Sequence, residues 1–377
     1  MKNNIINECN VCSGNTDTLI ILNSLPLTGL YTTNPVPESA SYDNSFEYCD
    51  NCGHGMLRVQ LDPSTIYDKT YTHRTSKSKY AIRGVDIFLD VLDEYSIIHN
   101  RMHYDTVLDI GCSDGYLLSR VVADKKIGID AVASSIYDDI EVITGNIEEV
   151  DISNIKPDVI FMRHTIEHIQ DPVSVMRKIS NSMSNDTLLV MQSPMLDILV
   201  EDMRYDHIFH QHLQYFSIFS IMKILKEVGL TCVHYKFDRY DWGSIILIAR
   251  REGEESLVYH GRPTEDSILL GYDKFRSHMK LVSNIISNSL CVVGYGAAQM
   301  LPILGYHIEG FDKVNLVVDD DASKDGVYYY NMPVRVTKEF PGREATYVVT
   351  GLDSSRVINK RLIELNVNRI VNILSVL

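Results

Sequence analysis

Apolar residues follow two rhythms along this chain. Between 80 and 99, Ile82, Val85, Phe88, Leu89 and Leu92 recur at helical spacing, and that stretch predicts an amphipathic helix. Elsewhere the apolar runs are short and unbroken: Val107–Ile110, Ile127–Ile129, Val142–Ile143, Val159–Met162 and Leu188–Met191. Runs this short and this uniformly apolar predict strands covered on both faces, as in a parallel sheet. Ser217 and Gly229 bracket a helix over Ile218–Val228. Residues 233–250 then read as a hairpin, interrupted by Asp241-Trp-Gly-Ser244. Gly253, Gly261 and Pro263 mark a linker. Beyond it the pattern repeats: a helix over 264–287, then strands at Leu290–Val293, Val314–Asp320, Tyr347–Thr350 and Ile370–Ile373. Strands alternating with helices predict two successive α/β units. We place one at 76–252 and a smaller Rossmann-like one at 253–377, behind a separate unit at 1–75.

The bend after the first strand carries the chemistry. It reads Asp109-Ile-Gly111-Cys-Ser113-Asp-Gly115, followed by a predicted helix. The two glycines permit a sharp turn and close backbone approach to a ligand, which the helix amides would face. The spacing is not the Gly-x-Gly-x-x-Gly favoured by a dinucleotide pyrophosphate. Ser113 at the middle position suits a ligand without phosphate, such as S-adenosylmethionine (SAM). Asp130 ends the next strand, where a carboxylate grips ribose hydroxyls. Strand, acid, strand and strand in this order resemble a class I SAM-dependent methyltransferase. A second bend, Gly294-Tyr295-Gly296 with Gln299, lacks a third glycine. Its amides could hold substrate phosphates, or the glycines could be purely structural.

Two Cys-x-x-Cys knuckles, Cys9/Cys12 and Cys49/Cys52, bracket a loop rich in turn residues. Paired knuckles supply a tetrahedral zinc site, and four sulfur ligands leave no open position, so a structural Zn2+ is expected. Tyr205 to Ser217 packs four aromatics and three histidines into thirteen residues. One of those imidazoles could take a proton at neutral pH. His164, Glu167 and His168 follow the third strand, at the sheet edge where ligands bind.

Composition narrows the partners. A net charge of -15 over 377 residues excludes nucleic acid, whose phosphates would be repelled. A compact phosphorylated molecule is still allowed. No apolar run approaches the ~18 residues of a membrane span, and no signal pattern opens the chain. A cytoplasmic protein without membrane contact is expected; the oligomeric state is left open, a monomer included.

Zinc knuckles, the SAM bend, the His-x-His-x-x-Tyr-Phe-Ser stretch, the Gly243-Ser244 loop and the Gly294-Tyr-Gly-Ala unit, in this order, resemble the three-domain C-3 methyltransferases of nucleotide-linked deoxysugars. The resemblance implies SAM as methyl donor, a nucleotide-linked 4-keto-deoxysugar as substrate and structural zinc. It assigns Asp109, Gly111, Ser113, Gly115, Asp130, His164 and Tyr71 to the cofactor, with Asn146 and Ile147 beside the adenine. His212 corresponds to the base and His168 to a second active-site histidine, with His210 and Gln211 in the same motif. Tyr215, Gly243, Ser244, Tyr295 and Gly296 fall to the substrate. The chain departs from the family where Phe209 and Gln211 replace a tyrosine and a glutamate, and where His164 stands near an expected asparagine. A sugar O-methyltransferase and an inactive SAM-binding protein are the alternatives.

Overall fold

The computed structural model describes residues 4–29, 31–34, 40–66, 74–101, 103–132, 137–257, 261–329, 332–336 and 341–374. Its centre is a seven-stranded sheet. From edge to edge the strands are Thr231–Asp238, Ser244–Arg250, Leu188–Pro194, Val159–Arg163, Tyr104–Ile110, Ala123–Asp130 and Ile140–Thr144. All are parallel except Ser244–Arg250, which runs antiparallel to both its neighbours. Numbered along the chain, the order is 3-2-1-4-5-7-6. The turn of sequence between strands one and four is the topological switch, so Tyr104–Ile110 and Val159–Arg163 deliver their carboxyl ends to one crevice.

Burial on both faces explains the unbroken apolar runs. Val107, Leu108 and Ile110 are buried, as are Val159 to Met162 and Leu188 to Met191. The helix expected over 80–99 spans Lys79–Ile98, with Ser78 accepting from the Ala81 amide at 3.2 Å as its cap. Val85, Phe88, Leu92 and Tyr95 pack it onto the sheet. The helix Ile218–Glu227 begins with a reciprocal cap, Ser217 and Ser220 each bonding the other's amide.

The helix expected after the glycine bend is reduced to one turn, Tyr116–Ser119. Ser119 Oγ donates to the Tyr116 carbonyl at 2.7 Å, and the chain re-enters the sheet at Ala123. The loop expected between the knuckles is also mostly strand. Asp17–Pro26 and Ser41–Cys49 pair antiparallel, with Ile20, Leu22 and Leu25 turned inward. Of the turn residues, Pro26 ends the first of these strands.

The C-terminal sheet has seven strands, ordered Arg369–Asn372, Thr346–Val349, Val292–Tyr295, Val314–Asp319, Met332–Val336, Tyr328–Tyr329 and Tyr31–Thr32. Its last strand comes from the N-terminal part of the chain. Reciprocally, Gln214–Tyr215 from the histidine stretch joins the N-terminal sheet beside His54–Leu57. Among the described residues, no helix is long and apolar enough to cross a membrane.

Candidate active site

The bend at the end of Tyr104–Ile110 takes left-handed backbone three times in five residues: Gly111 (φ 84°), Ser113 (φ 51°) and Gly115 (φ 80°). The Gly111 amide donates to the Ile129 carbonyl at 2.7 Å, and the Ser113 amide donates to Asp130 Oδ2 at 2.9 Å. Asp130 Oδ1 accepts from Val132 at 2.8 Å, so the carboxylate stands beside the bend with lone pairs to spare. The reason for Gly111 is internal. A Cβ there would overlap Thr165 Oγ1, with Thr165 Cγ2 only 3.0 Å away. A single helical turn follows, and the amides of Gly111, Cys112 and Ser113 are already bonded to Ile129 and Asp130, so what the bend offers a ligand is its sharp turn beside the two acids.

Asp109 lies 2% exposed, with no hydrogen bond to its carboxylate among the described residues. Burial, then the charge of Asp130, pushes it up to about 8 against the pull of Arg163. Two carboxylates converge here, one of them buried without a donor. A cationic ligand relieves both, and SAM brings an ammonium and a sulfonium. The bend and acids therefore fit that cofactor. The loop carrying Asn146 and Ile147 adjoins them, because the Gly145 amide donates to the Asp130 carbonyl at 3.0 Å. Asn146 is exposed and Ile147 buried. Lys178 Nζ fixes the loop by donating to the carbonyls of Ile147 and Glu148, each at 2.8 Å. Tyr71 lies outside the described residues.

A charged plug closes the crevice. Arg163 pairs with Asp241, and His164 sits between Asp241, with Nε2 at 3.1 Å from Oδ2, and Glu167, with Nδ1 at 3.2 Å from Oε1. Burial alone would lower the His164 pKa. The charge and hydrogen bond of Asp241, with Glu167, win and raise it to about 9. At Asp241, His164 and Arg163 overcome burial and hold the carboxyl down to about 2. His164 takes φ 48°, unusual for a residue with a Cβ, and is held there by two carboxylates. In the sequence, Asp241 is marked only as part of the Asp241-Trp-Gly-Ser244 loop. It lies 78 residues from Arg163, and nothing in the spacing joins them.

The histidine stretch folds over this plug. The Leu213 amide donates to the Glu167 carbonyl at 2.8 Å. His168 Nδ1 donates to the Gln211 carbonyl at 2.7 Å, which fixes the tautomer and leaves Nε2 as the basic nitrogen. The rings of His168 and His212 meet edge to face, with centroids 5.0 Å apart. His212 is 5% exposed, wedged against Phe209 and Trp242, and neither ring nitrogen has a hydrogen bond among the described residues. Burial, then neighbouring His168, His207 and His164, holds its pKa well below the usual value, so the ring is neutral. It is not remote from the bend. Thr165, which touches Gly111, begins the turn whose end is His168.

Three other residues of the stretch hold the fold. His210 donates from Nε2 to the Leu25 carbonyl at 2.9 Å and accepts at Nδ1 from Asn44 at 3.2 Å, so both ring nitrogens are occupied. Gln211 Oε1 accepts from Thr28 at 3.1 Å and Gln299 at 2.5 Å, joining three distant segments. The Tyr215 hydroxyl donates to the His207 carbonyl and accepts from the Phe209 amide, both at 3.2 Å, and so closes its own loop. Ser244 is fully buried and accepts from Gln192 at 2.8 Å, while Gly243 (φ 61°) accepts from the Met195 amide. At the second bend, a Cβ on Gly296 would lie 2.6 Å from the Gly351 backbone, and the Tyr295 hydroxyl donates to Asp320. The Ala297 amide donates to Asp319 at 2.7 Å. A carboxylate thus stands where a phosphate was expected.

Cys9, Cys12, Cys49 and Cys52 converge with their sulfurs within 4.8 Å of one another, and each cross-knuckle pair, Cys9–Cys52 and Cys12–Cys49, lies at 3.5 Å. A tetrahedral ion with ~2.3 Å bonds to sulfur needs edges of roughly 3.8 Å. The Val11 amide and the Asn51 side chain each point a donor at a sulfur, at 3.4 Å. The set has the donors and spacing for zinc.

A seven-stranded sheet with one reversed strand, a glycine bend at its switch and an acid ending the next strand define a class I fold built around SAM. Residues 74–235 match the family model described as a methyltransferase domain. The chain is a SAM-dependent methyltransferase. Among curated proteins it is similar to the C-methyltransferase NovU of Streptomyces niveus, 23% identical over 323 residues, covering 78% of this chain and 76% of that one. Among solved structures, the N-methyltransferase NodS of Bradyrhizobium japonicum in complex with S-adenosyl-L-homocysteine covers 50% of this chain and 94% of its own, at 14% identity and a TM-score of 0.38. A SAM-dependent methyltransferase of Clostridium acetobutylicum covers 46% and 95%, at 13% identity and a TM-score of 0.35.

Proposed function

We propose that this protein methylates carbon C-3 of a nucleotide-linked 4-keto-deoxysugar, with SAM as donor and His212 as base. The observation that carries the reading is a neutral, buried imidazole without hydrogen bonds among the described residues, in ring contact with His168, whose turn starts at the residue beside Gly111. The likeness to a C-methyltransferase supports carbon as the acceptor.

A ketone at C-4 acidifies the neighbouring C–H bond. His212 takes that proton, and the electron pair stays on the sugar as an enolate. SAM supplies an electrophilic methyl group. Trp242 and Phe209 flank His212 and keep water from its nitrogen. Asp109, Asp130 and the bend hold the donor, and positioning of the two reactants supplies much of the acceleration. The four cysteines would hold one structural zinc ion, with no coordination position left open for chemistry.

The test is His212→Ala, given a nucleoside diphosphate 4-keto-6-deoxysugar in deuterated water. Wild type should exchange the C-3 proton without SAM and methylate that carbon with it. The variant should do neither, yet keep its stabilisation by S-adenosylhomocysteine. Methylation of oxygen without exchange, or full turnover by the variant, refutes the assignment.

A further inference from the structure

We propose that Glu167 is the charge partner of the His168–His212 pair, a positioning residue that holds the positive charge the pair acquires when it takes the substrate proton. A carboxylate oxygen of Glu167 and one ring nitrogen from each histidine lie within 4.8 Å of one another. Glu167 is 1% exposed. Its Oε1 is engaged by His164, but Oε2 is buried without a hydrogen-bond partner. A buried carboxylate oxygen left without a donor is costly in the resting enzyme. It gains its partner only when the neighbouring pair becomes cationic.

Gln211 cannot serve in this way. It carries no charge, and its amide oxygen already accepts from Thr28 and Gln299. His168 is held in place by its Nδ1–H, which donates to the Gln211 carbonyl. The other charged groups around the pair are accounted for. Arg163 and Asp241 pair with each other, His164 bridges Asp241 and Glu167, and His207 is buried, with its pKa held well below the usual value. Among the described residues, Glu167 is thus the carboxylate that groups with the pair.

The inference rests on His212 as base. When the C–H bond breaks, its electron pair stays on the substrate carbon and the proton moves to His212. The imidazolium charge, shared with His168, is neutralised by Glu167. When the carbon–methyl bond forms, the carbon–sulfur bond breaks with its pair on sulfur, and the proton leaves the pair for solvent.

The experiment compares full-length wild type, Glu167→Gln and Glu167→Asp. Gln keeps an oxygen for His164 and removes only the charge. The ring resonances of His168 and His212 are titrated by NMR in protein saturated with S-adenosylhomocysteine, which needs no sugar. At least one midpoint should fall by about one unit or more in Glu167→Gln. With the keto-sugar, kcat should fall about 100-fold at little change in KM, and Glu167→Asp should restore part of it. Unchanged midpoints in folded Glu167→Gln overturn the proposal. So does stoichiometric broadening of both rings by one equivalent of Mn2+, which would make the cluster a metal site. A shifted midpoint without sugar methylation supports the Glu167 pairing and removes the substrate assignment instead.

Discussion

Gly111→Ala separates two reasons for a glycine at the cofactor bend. If the ligand needs the space, alanine should block binding. If Thr165 needs it, alanine should strain the fold and spare the site. The structure favours the second, because the new Cβ would overlap Thr165 Oγ1. Left-handed backbone at φ 84° costs an alanine ~1 kcal/mol. Moving Thr165 aside breaks the one bond its hydroxyl proton makes, shared between the carbonyls of Ile110 (3.0 Å) and Arg163 (3.1 Å), at about 1 kcal/mol. The sum is about 2 kcal/mol, which lowers the melting temperature by roughly 4–8 °C. Thr165→Ala alone loses that bond, about 1 kcal/mol. The double variant leaves only a 3.1 Å approach to the Cβ at position 165 to relieve, so it should cost about 2 rather than 3 kcal/mol, a coupling near 1 kcal/mol. Scanning calorimetry of the four proteins measures it, with and without S-adenosylhomocysteine. Strict additivity would refute the steric argument. Loss of ligand stabilisation in a folded double variant would refute the claim that Gly111 serves Thr165 and not the cofactor.

Other outcomes follow from the same coordinates. Wild-type protein should carry one zinc per chain by elemental analysis, and Cys9→Ser/Cys49→Ser essentially none; an unchanged zinc content removes the four-cysteine site. His164 rises from 6.5 to about 9 on folding. Its pairing therefore stabilises fully below about pH 6.5 and fades as pH climbs through 9, a loss of up to about 3 kcal/mol. His164→Gln should flatten that part of the stability profile, and an identical slope between pH 6.5 and 9 would count against the Asp241 pairing. The fall through Asp109, raised to about 8, should persist in both proteins.

The central sheet was legible because its strands are buried on both faces and punctuated by Asp109, Gly111 and Asp130. Those local signals survive in any fold that uses them. The knuckles were legible for the same reason: ligand spacing is fixed by the geometry of one turn. What escaped depends on contacts between distant segments. Asp241 looks like a loop residue until the hairpin brings it to His164. Gln211 looks like a weakened acid until Thr28 and Gln299 reach its amide oxygen. The length of the helix after the bend is not written in a strand–bend–apolar pattern, which does not say how soon the chain must return to the sheet. The N-terminal strands carry only the short alternation of Ile20 and Leu22, beside prolines and glycines whose local signal is for turns.

The exchange of short strands has a consequence for taking this protein apart. Tyr31–Thr32 edges the C-terminal sheet, and Gln214–Tyr215 completes the N-terminal one. Cutting the chain at either predicted boundary would strip a neighbour of its outermost strand and leave backbone amides and carbonyls unpaired along a raw margin. Fragments expressed alone should then be prone to clump, while the same pieces mixed together have a template on which to reassemble.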